Sequence, residues 1–400
     1  MVGSAKRLLT PNPLIAVSGG VGSPKSVDQK KGDLFARAVV LVKGNVKIAI
    51  VAIDNLGWPA ALGNKSRRLV SEVPFENILI GATHTHSAPD AYAFPDENGA
   101  HGADLEYLEW CTHQIADAIK EALQNIEPAY LKIAMGRAEG KIAYNYYAPD
   151  LYDPRCGVIQ ARAAQGKNKD KPIVTLVNYA IHPEVIGSNQ KTLSPDLVGP
   201  LNERIEHKTG GMAIFMNGAQ GGMVTADNRL DNGKEAQDWN ECKRIGNLLA
   251  DEALRIVSDA APQYNATLYS THKIVKFPIE SEMMRFILTH SPLSLGTNDA
   301  NTISTTVNLL NIGTAQILTI PGEALPNIGY YMKRKMPTDH PFLFGLTNDA
   351  FGYMLTKEDF NSFDRYNYVS RTSLGEETGE IYMAEALDLI DKSPKPQKNK

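Results

Sequence analysis

The stretch Asn77-Ile78-Leu79-Ile80-Gly81-Ala82-Thr83-His84-Thr85-His86-Ser87-Ala88-Pro89-Asp90 decides how this chain is read. Its first half is a short apolar run closed by small and polar residues, the pattern of a buried strand. Side chains alternate faces along a strand, so His84 and His86 are expected to point the same way from its carboxyl mouth. Two imidazoles on one side suit a metal or a proton-transfer site. One core histidine beside one surface histidine is the alternative, and the rest of the chain has to choose.

Upstream, residues 37–42 and 46–54 are β-rich runs around Lys43-Gly44-Asn45, a hairpin signal. A helical stretch from 60 to about 72 follows Pro59 and leads into the strand that ends at His84. Strand, helix, strand at this spacing is a βαβ unit, so the sheet is at least partly parallel. In such sheets ligands gather outside the carboxyl ends of strands, the place His84 and His86 occupy. Downstream, residues 91–102 read as a loop. Asp104 caps a long amphipathic helix with Leu105, Leu108, Ile115, Ile119 and Leu123 inward.

Further strands are expected over 130–136, 158–162, 173–181, 212–216, 268–279 and 305–320. Helices are expected over 197–207 (capped by Asp196), 235–257 and 324–335. No internal repeat, low-complexity linker or heptad pattern is visible. The expectation is one compact α/β domain over residues 1–392, with mixed parallel and antiparallel sheets flanked by helices and a site at strand carboxyl ends. A disordered Lys/Pro-rich tail over 393–400 follows.

A chain of 400 residues can bury a large core, and 43% hydrophobic with 22% charged residues is the composition of an ordinary soluble globular protein. The formal net charge of -4, with no long basic run before the tail, gives no reason to expect nucleic acid as a partner. A small-molecule substrate is the expected partner. No stretch reaches membrane-spanning length, so stable membrane insertion is not expected. The first residues carry no apolar h-region. A secreted or periplasmic protein whose leader has been removed is the expectation, with a cytosolic one as the alternative. Of the three cysteines, Cys111 and Cys242 fall on apolar helix faces and Cys156 in a strand. None has CxxC spacing, so no thiolate zinc site is indicated.

The strand-end pattern repeats. His84, His182 and Glu323 each sit one to three residues past a buried apolar run, with Pro or Gly close by. Two histidines and a carboxylate are a normal ligand set for catalytic zinc, which keeps a position open for water or substrate. Taken singly, His182 also reads as a turn residue before proline. Glu323 also reads as a charge at the start of the helix over 324–335.

Thr83-His84-Thr85-His86-Ser87-Ala88-Pro89 resembles the THTHSGP signature of the neutral/alkaline, non-lysosomal ceramidase family, and the resemblance extends along most of the chain. Gly3-Ser4-Ala5-Lys6-Arg7-Leu8-Leu9-Thr10-Pro11 is similar to the family's GxAKxDITP segment. Leu34-Phe35-Ala36-Arg37-Ala38 and Ala52-Ile53-Asp54 resemble its first hairpin. Tyr179-Ala180-Ile181-His182-Pro183 resembles its AxHP motif, Asn217-Gly218-Ala219-Gln220-Gly221 the start of NGAQGDVSP, and Pro321-Gly322-Glu323 its PGE segment. The resemblance implies a zinc amidase site whose ligands are His84, His182, Glu323 and Tyr353. His86 is implied on the substrate side as an acid/base partner. Tyr366 is implied as a second tyrosine, with Tyr368 possible. Asn145, Tyr146, Asn217 and Gln220 fall in the segments implied to bind substrate.

The departures from the family pattern bear on the chemistry. Gly221-Gly222-Met223-Val224-Thr225 stands where the family has GDVS, so Val224 replaces the serine tied to amide cleavage. Thr225 comes one position late and could act only after a loop shift. Asn145-Tyr146-Tyr147 replaces an arginine-containing segment, and a counterpart of the family's carboxy-terminal β-domain is not expected. The expectation is a zinc-dependent hydrolase acting on an amide, ester or glycan-derived substrate other than ceramide. The alternatives are a true ceramidase using Thr225, and a metal-containing binding protein or metal-dependent carbohydrate-active enzyme. An HxH amidohydrolase barrel does not fit, because the chain lacks its eightfold βα rhythm.

Overall fold

Every residue from Ile48 to Ile53 is buried, although alternate side chains of a strand face opposite ways. Both faces of that sheet must therefore be covered. The computed structural model describes residues 1–296 and 301–398 and shows what covers them. Ile48, Ile50 and Ala52 face a core shared by three sheets. Ala49, Val51 and Ile53 face the helix Leu105–Gln124 through Ile115 and Ile119.

The three principal sheets have one construction. In the first, Val2–Leu8, Phe35–Lys43 and Val46–Ile53 form an antiparallel meander, and Ile78–Ala82 is added parallel to the third strand after the helix Ala60–Arg68. In the second, Ala129–Arg137, Arg155–Ala163 and Pro172–Tyr179 are the meander. Met212–Asn217 is the parallel addition after the helix Val198–Thr209. In the third, Leu268–Pro278, Thr302–Ile312 and Ala315–Thr319 are followed by the helix Pro326–Lys335 and the parallel strand His340–Phe344. Each unit then closes with a long helix, Leu105–Gln124, Trp239–Ser258 or Thr378–Lys392.

The chain thus holds three copies of a βββαβα unit, a repeat that the sequence reading did not detect. What recurs is an order of strands and helices, and the apolar residues that build it are interchangeable at each position. Leu131, Ile159, Leu176 and Ile214 of the second sheet, and Leu310, Ile317, Phe342 and Phe344 of the third, complete the shared core. The outer faces are sealed by Leu201, Ile205, Ile245 and Leu249 on one side and by Ile328, Met332, Tyr382 and Leu389 on the other.

This construction places function at one end of each sheet. Strands one, three and four of a unit run the same way, because two antiparallel steps and one parallel step restore direction. The loops after strands three and four, and the excursion between strands one and two, therefore gather at the same end.

Several local expectations change. The helix expected over 235–257 begins at Trp239, capped by Asp238, because Arg229 and Glu235 pair across a small turn first. Asp196 does not cap a helix in the ordinary way. It spans the backbone N–H groups of Ile186 and Leu197. Glu323–Ala324 is not helical but pairs in parallel with Tyr353–Met354. The tail lies along the third sheet rather than free over 393–398. Asn311 donates to Pro394 O (2.6 Å) and Gln397 N donates to Gly313 O (3.0 Å). Residues 399–400 lie outside the described chain. All three cysteines are buried thiols, as expected. Among the described residues no helix is long and apolar enough to cross a membrane.

Candidate metal centre

Each sheet delivers one part of the site. In the first unit the strand ends at Ala82, and the chain turns through His84, whose φ of 74° is left-handed. Strand alternation therefore does not set the direction of the histidine pair; this turn does. A non-glycine residue there is held only when its surroundings over-determine it. His84 N donates to Asn55 O (2.8 Å), and its Nδ1 lies 2.6 Å from Leu56 O. A carbonyl only accepts, so Nδ1 carries the proton and Nε2 keeps a lone pair.

The second unit repeats this chemistry. His182 follows Pro172–Tyr179, and its Nδ1 donates to Val224 O (2.9 Å), which frees Nε2. The third unit supplies Glu323, past Ala315–Thr319. Its Oε2 lies 3.1 Å from His182 Nε2 and 3.4 Å from His84 Nε2. His86 also enters the cluster, with its Nε2 3.3 Å from His84 Nε2. The three histidines each offer a ring nitrogen, all within 4.8 Å of one another.

The electrostatics suit a cation. Burial alone would raise Glu323, but His84 and His182 hold its carboxyl far below the usual range. Burial opposes protonation of His182 too, yet Glu323 and Glu184 lift it to about 9. The buried carboxylate thus borrows a proton to balance its charge, and a metal ion would supply that charge instead. Burial pulls His86 down to about 4, so its ring is neutral and has a lone pair to give. Four converging N and O donors of this kind fit zinc.

The scaffold around these groups is close-packed. Asn217, at the end of Met212–Asn217, donates to Thr83 O (3.0 Å) and Ile181 O (2.8 Å) and accepts from Ile181 N (3.2 Å) and Gly218 N (2.8 Å). One amide thus ties the His84 loop to the His182 loop. Gly221 lies against the backbone of Glu323, where an added Cβ would come within 2.1 Å of the Glu323 carbonyl oxygen.

His84, His86 and Glu323 of the cluster line a cleft. Tyr353 and Tyr368 line it with them, and Leu56, Phe94, Met284, Ile287, Leu288, Leu295 and Phe351 form its apolar wall. Gly19, Gly20 and Val21, from the first unit's excursion, border the mouth. Burial, with Glu323 adding to it, pushes the Tyr353 phenol well above its ordinary range and Tyr368 up to about 12, so both are neutral hydrogen-bond donors.

The residues named from sequence divide. His84, His86, His182 and Glu323 are brought together. Tyr353 lines the cleft beside them, its hydroxyl 3.8 Å from Met223 Sδ. Tyr366 is not on the cleft: it is buried against Tyr147, and Tyr368 takes that place. Asn145 is wholly spent on its own turn, accepting from Tyr147 N and Ala148 N and donating to Leu151 O. Tyr146 is 60% exposed and borders a separate open depression with Tyr144 and Arg229. Gln220 is fully buried away from the cleft, and Asn217 is scaffold. Thr225 lies within the pairing of Val224–Ala226 with Ala143–Asn145 and does not line the cleft. Sequence reading missed Glu184. Its signal was adjacency, a carboxylate two residues past a candidate ligand.

Solved ceramidases share this architecture. The crystal structure of neutral ceramidase from Pseudomonas aeruginosa superposes with a TM-score of 0.78 at 17% identity, over 100% of this chain and 76% of that one. A ceramidase complexed with C2 gives 0.77 at 18% identity, with the same coverage. Neither a protein-family model nor a curated protein sequence matches the chain. The fold is that of the neutral ceramidase structures, and this fold carries a three-histidine cluster able to hold a metal ion.

Proposed function

We propose that this chain is a divergent relative of the neutral ceramidases, a zinc-dependent hydrolase that cleaves an amide or ester with an apolar acyl group. The observation that carries the reading is a cluster of four metal-type donors, three of which (His84, His86 and Glu323) line one cleft together with apolar side chains. His84, His182 and Glu323 would hold the ion. Zinc in such a site supplies Lewis acidity toward a carbonyl and acidifies water to a pKa of about 7. The remaining work falls to the protein. The apolar wall takes the acyl chain and excludes water from it. Tyr353 and Tyr368, kept neutral, donate hydrogen bonds to the oxygen that gains charge.

The apolar wall favours an acyl substrate over a glycan-derived one, since the exposed Tyr146 lies off the cleft. A Thr225 nucleophile finds no support, because Thr225 does not line the cleft. Metal-loaded protein should release fatty acid from a panel of N-acyl amides and acyl esters, short-chain ceramide included. Chelation or His84→Ala should abolish release. Turnover that survives both, or none across the panel, would remove the proposal.

A further inference from the structure

We infer that Glu184 is a positioning residue that turns His86 into a ligand of the same metal ion. The inference rests on the metal-site reading above. His84 and His182 share one device: each commits Nδ1 to a backbone carbonyl, Leu56 O or Val224 O, and presents Nε2 to the cluster. His86 presents Nε2 to the cluster as well, 3.3 Å from His84 Nε2. Among the described residues no carbonyl bonds its Nδ1; the Glu184 Oε2 carboxylate oxygen faces it at 3.7 Å. At that separation the contact is electrostatic rather than a hydrogen bond, and the negative oxygen favours the proton on Nδ1, leaving the Nε2 lone pair for the ion.

Glu184 is itself held. Its backbone N–H donates to His182 O (3.1 Å). His86 N donates to Pro183 O (3.2 Å), so the ring and its carboxylate are carried by neighbouring, mutually bonded backbone.

The test is cobalt(II) titration of metal-stripped full-length protein, followed by visible absorption, with zinc competition against a chromophoric chelator. Losing a partner of this kind weakens metal binding about 10- to 100-fold. Glu184→Ala should fall in that range, Glu184→Gln should lose less because its amide oxygen still accepts, and His86→Ala should change the cobalt spectrum. Adding Glu184→Ala to His86→Ala should cost nothing further, since Glu184 acts through His86. Near-ultraviolet circular dichroism checks the fold, and if the Ala variant unfolds, the Gln variant carries the comparison. Affinity within twofold of wild type in both Glu184 variants overturns the inference. So does a Glu184 effect that persists without His86. Wild-type protein that takes up no cobalt overturns it together with the metal-site reading. Uptake weakened as described, without turnover of any acyl substrate, supports it and removes only the hydrolase reading.

Discussion

Lengthening the acyl group of an amide substrate one methylene at a time measures the apolar wall of the cleft directly. Leu56, Phe94, Met284, Ile287, Leu288, Leu295 and Phe351 form that wall, and none is more than 8% exposed. A methylene placed among them leaves water completely, which is worth about 0.8 kcal/mol, or about fourfold in kcat/KM. Four such methylenes amount to roughly 200-fold on the same scale. The gain should stop once the chain passes the apolar wall.

Met284→Gln tests the cause. It keeps the side chain's length but places an amide among apolar groups. An unpartnered amide there costs about 1–3 kcal/mol, so long-chain substrates should lose roughly 5- to 150-fold in kcat/KM. Acetyl amides, which bury fewer methylenes, should lose less. The assay is initial-rate hydrolysis of a matched acyl series. A profile flat to within twofold from acetyl to hexanoyl, or equal losses for short and long chains in Met284→Gln, would refute the reasoning.

Asn217→Ala should unpair two buried carbonyls and two buried N–H groups, lowering stability by about 3 kcal/mol or more and weakening zinc uptake; urea unfolding and a chelator titration read the two effects. Gly221→Ala should displace Glu323 by its backbone and reduce metal affinity while far-ultraviolet circular dichroism stays unchanged. The buried Asp153 sets an acid limit to stability. Burial raises its carboxyl, but Lys333 at 2.8 Å and Arg155 outweigh that and hold it at about 2, against an ordinary 3.8. A depressed carboxyl stabilises the fold above its unfolded pKa, so about 2 kcal/mol should be present above pH 4 and lost as pH falls toward 2. Burial moves the Lys333 ammonium below its ordinary range, which acts only in alkali. Lys333→Met should therefore shrink the acid-side loss in pH-dependent urea unfolding, and an unchanged profile would contradict this assignment.

Local chemistry was legible in the chain itself. The apolar run from Ile78 to Ala82, the cap at Asp104 and the hairpin around Gly44 follow from propensity and burial, which act over a few residues. So does the rule that His84, His182 and Glu323 stand just past buried strands, because a strand's end is written in the switch from apolar to polar residues. Only the tertiary structure decided that these ends belong to three sheets of one construction facing a shared core. Pairing order depends on contacts a hundred or more residues apart, to which local pattern is blind. It also reassigned side chains whose partners lie far along the chain: Asn217 to scaffold, Thr225 to a strand pairing with Tyr144 off the cleft, and Tyr368 in place of Tyr366 on the cleft. The direction of His84 was beyond reach of strand alternation as well, since a left-handed residue held by Asn55 and Leu56 sets it. Residue types chose the chemistry, and the folding of three similar units around one core brought those residues within bonding distance.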